Sequence, residues 1–111
     1  MTNTIAVVTA VKEVSTTLSS AITTLGHCGT VSARTLSTLA TKIATAKYIA
    51  RANGAKYIFE TNLTILESLS AKISSMNLSS EFSKNLAARE LQMISDFLDQ
   101  NLQDYIKSFN V

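Results

Sequence analysis

Residues 81–109 read EFSKNLAARELQMISDFLDQNLQDYIKSF. Ala87, Leu91, Ile94, Leu98, Leu102, Tyr105 and Phe109 follow one another at steps of three or four residues. That is the spacing of one face of an α-helix, not the alternation of a strand. At 1.5 Å per residue, a helix of nearly 30 residues would run roughly 45 Å. A second apolar row shares the stretch: Phe82, Leu86, Met93 and Phe97. On a wheel of 3.6 residues per turn it lies about 130° from the centre of the first row. An ordinary amphipathic helix has one apolar stripe and a polar back. A helix with two stripes either touches neighbours on both sides of a wide core or offers one stripe to another chain.

The remaining sequence repeats the helical pattern three times. Val7, Val11, Val14, Leu18, Ala21 and Leu25 form a first seam, and Leu36, Leu39, Ile43, Ala46 and Ala50 a second. A third stripe holds Phe59, Leu63, Leu66, Ile73 and Met76, widened by Ile58, Ile65 and Leu69. The first seam is rich in β-branched Val and Thr, poor helix formers alone, so packing must hold it. Asn3 or Thr4 is the expected cap of the first helix, and Ser79 or Ser80 that of the fourth. Gly26 is expected to end the first helix and Ala52-Asn53-Gly54 the second, since glycine suits the left-handed residue past a helix C-terminus. Proline is absent and glycine occurs only three times, so breakers are confined to the corners. Short corners favour antiparallel neighbours. The expected fold is one all-α domain, residues 1–111, an antiparallel up-down four-helix bundle. The alternative is a pair of long helical hairpins that complete the core only as a dimer.

Charged residues make up only 16% of the chain, so something else must supply its polar surface. Serine and threonine do so, with 28 hydroxyl residues, 17 of them in the first 45 positions. The net charge of +2 is uneven. Residues 1–54 carry five bases and one acid, whereas residues 55–111 carry five bases and seven acids. The basic second helix is expected to face acids of its own bundle, with Glu81, Glu90, Asp96, Asp99 and Asp104 as the suppliers. A single cysteine excludes an internal disulfide, and no basic leader or long uninterrupted apolar run stands out. The expectation is a soluble cytoplasmic protein, with export by a route that leaves no cleavable signal left open.

Chemistry is hard to find. LGHCGT, residues 25–30, puts the only histidine, His27, beside the only cysteine, Cys28. A cysteine nucleophile needs a base within hydrogen-bond reach and a group to orient it, and sequence neighbours in a corner point apart. Zinc wants four ligands, which one Cys and one His cannot supply. Glu60 and Glu67 share a helix face but have no accompanying histidine for a di-metal bundle, and read as a solvated side. No Gly-rich phosphate loop or nucleophile elbow occurs. No catalytic, cofactor or metal residue is therefore expected, and the chain reads as a non-enzyme.

Nucleic acid would require a continuous basic face, yet Lys42 falls across the apolar stripe from Lys47 and Arg51. A membrane surface would require a Lys/Arg-rich polar face, and the first helix has Thr and Ser there. Both partners are disfavoured, nucleic acid remaining the weakest alternative through the second helix. What is left is another protein. The expected contact residues are Phe82, Leu86, Met93, Asp96 and Phe97, with Lys47 and Arg51 as secondary basic contacts. A small inhibitor, immunity or adaptor protein fits this, and a homodimer is the second partner considered. The alternative is a subunit of a helical assembly, because the hydroxyl-rich, low-charge composition is loosely similar to that of flagellin-like helical proteins.

Overall fold

The computed structural model describes residues 3–28, 33–75 and 81–108, with side chains for 3–26, 34–73 and 83–108. Four helices follow in order: α1 Thr4–Cys28, α2 Ala33–Ala52, α3 Lys56–Ser75 and α4 Glu81–Lys107. Each packs against two neighbours, α1 on α2, α2 on α3, α3 on α4 and α4 back on α1, while the diagonal pairs do not meet. This is a closed ring in up-down-up-down order. The body measures 48 × 22 × 18 Å, one helix long and two across.

The predicted seams are the core. All six residues of the first seam are buried in α1, as are Leu39, Ile43, Ala46 and Ala50 of α2. From the other side come Phe59, Leu63, Leu66 and Ile73 of α3, and Ala87, Leu91, Ile94, Leu98, Leu102 and Tyr105 of α4. Phe59 and Tyr105 meet edge to face, ring centres 5.4 Å apart, joining α3 to α4 near one end of the bundle. One chain thus closes its own core, so hairpins that need a second copy to complete it are not the architecture. By length and composition alone, Thr4–Gly26 would suffice to cross a membrane. Here its apolar side is the centre of the bundle.

The ends have identifiable causes. Asn3 caps α1, its Oδ1 accepting the Ala6 N–H at 3.0 Å. Its own N–H donates to Asn53 Oδ1 at 2.8 Å, tying the start of α1 to the α2–α3 corner. At that corner Ala55 N–H reaches the Ala50 carbonyl at 2.8 Å and Gly54 N–H the Arg51 carbonyl at 3.3 Å. With Gly54 at φ 74°, this is a Schellman stop, and buried Ala50 and Ala55 make its usual apolar contact. Gly26 behaves otherwise than expected. The helix runs through it to Cys28, and among the described residues only Gly54 has a positive φ. Glycine permits a left-handed stop without imposing one, and buried Leu25 holds the last turn against the core. The caps expected at Ser79 and Ser80, and the core positions Met76 and Phe109, lie outside the described residues.

The hydroxyl-rich helices keep their polarity local. Thr17, Thr38 and Thr41 each donate to the carbonyl four residues back, at 2.9, 2.9 and 3.1 Å. Such bonds satisfy the side chain without a charged partner but add no helix stability, so the buried seams are what hold α1 and α2 helical.

Candidate functional site

Polar links between neighbouring helices set how each is rotated. On α4, Asp99 accepts a hydrogen bond from Ser15 of α1 at 3.2 Å, and Asn101 one from Asn62 of α3 at 2.6 Å. Asp99 therefore marks the side of α4 that faces α1, and Asn101 the side that faces α3. At about 100° per residue, Leu86, Met93 and Phe97 come next around the helix beyond Asn101, outside the core on the α3 side. They are 43%, 56% and 50% exposed. The second row is thus not part of a wide core. One row of α4 is buried, and the other stands half in water.

α3 contributes a residue that the contact set above lacks. Asn62 marks the side of α3 turned to α4, and Ile65 lies further around the same way, 45% exposed. The antiparallel register through Asn62 and Asn101 sets Ile65 level with Phe97, and Leu69 level with Met93, to within about one residue. Ile65 thus extends the α4 row across the α3–α4 groove, with Leu69 at its edge. Its signal was present in the sequence as the widening of the third stripe. Only the tertiary register shows that this widening and the second row of α4 adjoin. Ile5, Tyr48 and Tyr57 are also exposed, Ile5 at the rim of a depression between α1 and α2 and the two tyrosines singly on the outer surfaces of their helices, where scattered apolar residues are ordinary.

On its far flank, away from α3, the α4 row is bordered by exposed Arg89 and Asp96. Asp96 accepts a hydrogen bond from Gln92 at 3.0 Å, one turn back along the helix. Glu90, half-buried, interrupts the row between Leu86 and Met93. Phe82 belongs to the first turn of α4, and its side chain lies outside the described residues.

Lys42, Lys47 and Arg51 of α2 are engaged within the chain. Lys47 Nζ lies 3.7 Å from Glu67, and Arg51 forms a two-pronged pair with Glu60, its Nε 3.3 Å from Oε2. The hydrogen bond from Arg51 holds the Glu60 carboxylate below its ordinary range against the opposing effect of partial desolvation, with Arg51, Lys47 and Lys56 adding their charge. Lys42 pairs with Glu13 of α1 at 3.2 Å. The expected acidic suppliers were those of α4, and this is corrected: the acids are Glu13, Glu60 and Glu67. The reason is topological, because α2 lies between α1 and α3 and diagonally opposite α4. Glu60 and Glu67 are accordingly not a free solvated side but the closing charges of the α2–α3 groove.

His27 and Cys28 fall in the last turn of α1, with their side chains outside the described residues. Among the described residues no group of three or more His, Cys, Asp or Glu side chains is arranged to hold a metal. One open depression along the α1–α2 boundary is lined by threonines with Lys12, Glu13 and Lys42, the last two already paired with each other. Another is lined by Ile5, Ala6, Ala10 and Ile49 with Asn3, Thr9, Glu13 and Thr45. Compared with known protein families, with curated proteins and with solved structures, the chain matches none.

Proposed function

We propose that this is a non-enzymatic small helical protein that acts by protein–protein contact, of inhibitor, immunity or adaptor type, through the outer face of α4. The contact set is Phe82, Leu86, Met93, Asp96 and Phe97, with Ile65 added from α3. The observation that carries the reading is the half-exposed row on a helix whose opposite row is fully packed. Met and Phe are favoured in the cores of interfaces, and contiguous exposed apolar side chains mark contact sites more often than bare surface. The pairing of Lys47 and Arg51 with Glu67 and Glu60 leaves those cations a minor part.

The test is affinity capture from lysate of the source organism, comparing the wild type with a Met93→Asp, Phe97→Asp double variant whose helicity is checked by circular dichroism. One foreign protein held by the wild type and released by the variant is the expected result. Equal retention by both moves the contact surface away from α4. No foreign protein on either ends the inhibitor and adaptor reading.

A further inference from the structure

We propose that the occupant of the α4 face is a second copy of this chain, packed so that the two α4 helices run antiparallel across a two-fold axis. The inference rests on the reading of this face as a protein contact and names what covers it when no foreign partner is bound. It is carried by the order of charges along the flank. Arg89 and Asp96 are both exposed, lie on the same side of the apolar row, and are two helical turns apart. In a parallel two-fold pair this flank would lie against the opposite, α3-side flank of the second copy, so Arg89 and Asp96 would not meet. In an antiparallel pair crossing at the level of Gln92, Arg89 comes within about one residue of the level of Asp96 in the second copy, and the reverse holds by symmetry. The same crossing brings Leu86 within about one residue of the level of Phe97 of the second copy and leaves the two Met93 side chains at the centre.

A face whose charges and apolar residues both match their own two-fold image is self-complementary, the requirement of an isologous interface. The other flank, on α3, adds the half-exposed Ile65, so the apolar contact widens there. Glu90 sits inside the row half-buried and opposes association, so the dimer is expected to be reversible, with a dissociation constant on the order of 10 µM.

Sedimentation equilibrium on the purified full chain, from about 1 to 500 µM, tests this. The wild type is expected to pass from monomer to dimer and no further. Met93→Asp with Phe97→Asp should remain monomeric throughout while keeping its helicity. Arg89→Asp alone and Asp96→Arg alone should each weaken the dimer roughly tenfold, because like charges then face each other. The combined exchange Arg89→Asp, Asp96→Arg should restore it. A wild type monomeric at every concentration overturns the inference, as does growth beyond the dimer, or a dimer indifferent to the Met93 and Phe97 changes. Single reversals without effect, or an exchange that fails to restore, overturn the antiparallel arrangement. The broader reading fails separately: a monomeric wild type that still captures a foreign protein through Met93 and Phe97 loses the second copy and keeps the contact face.

Discussion

The two grooves that flank α3 are built from different materials. Toward α2 the boundary is closed by charge, with Glu60 held by Arg51 and Glu67 by Lys47. Toward α4 the structure shows the amide pair of Asn62 and Asn101 and the edge-to-face contact of Phe59 with Tyr105, and beyond them lie Ile65, Leu86, Met93 and Phe97, all near half exposure. A groove sealed by ion pairs has its polar needs met within the chain. One rimmed by half-exposed aliphatic and aromatic groups still gains by losing water. The difference leaves α3–α4 as the side of this bundle with adjoining apolar groups still in water, the feature on which the proposed contact rests.

The largest effect should separate the two rows of α4 at adjacent positions. Leu98 is fully buried, and Leu98→Ala should cost about 2–5 kcal/mol in chemical denaturation through lost transfer energy and a cavity. Phe97→Ala, one residue away, should fall within about 0.5 kcal/mol for the monomer. Comparable losses at both positions would break the distinction between core and face.

Next in size is the amide link. Asn62→Ala leaves the half-buried Asn101 without its described partner and should cost about 1–2 kcal/mol by thermal or urea unfolding. Replacing both residues by Leu should recover part of that loss and enlarge the apolar face, so self-association should tighten in the same sample. A more stable protein with unchanged association would uncouple the groove from the contact.

At the α2–α3 corner, Gly54 has φ 74° with open space around its missing Cβ. Gly54→Ala should therefore cost about 1–2 kcal/mol through the backbone alone, with Gly54→Asn milder. An alanine variant as stable as the wild type would mean that the corner does not fix the junction between the two grooves. Buried Ser70, whose hydroxyl has no hydrogen-bond partner among the described residues, offers the opposite sign. Ser70→Ala should be neutral or stabilising by up to about 1 kcal/mol.

The smallest effect is a dependence on pH at the charged groove. The folded state lowers the Glu60 value below that of the unfolded chain. The stability this contributes is present above the ordinary carboxylate range and is lost as pH falls through the lower, folded value. Glu60→Gln should therefore lower stability at neutral pH and flatten the acid limb of the stability curve. An acid limb of unchanged slope would remove the charge closure from the α2–α3 side.

Legibility differed sharply between the core and the site. Each of the four seams could be followed by its period of three and four, because a core needs every inward position filled and so writes itself into the spacing. The Schellman stop at Gly54 and the cap at Asn3 were legible for the same local reason: both depend on residues within a few positions. Gly26 was misread, since a glycine within one turn of a corner is locally indistinguishable from a glycine at it. The acids facing α2 were also misassigned. Composition shows that opposite charges exist, but which of them meet depends on which helices are diagonal.

The sequence by itself determined an all-α bundle of four helices, the buried face of each, and a second apolar row on the last. These are consequences of periodicity and short corners, which act over one or two turns of chain. Only the tertiary structure decided that this row lies outside the core, that Ile65 stands beside it, and that Lys47 and Arg51 face Glu67 and Glu60. Those outcomes depend on the rotation of each helix about its axis and on the order of helices around the ring. Both are set by side-chain packing and polar links between residues 9 to 84 positions apart, Arg51 with Glu60, Asn62 with Asn101 and Ser15 with Asp99 among them.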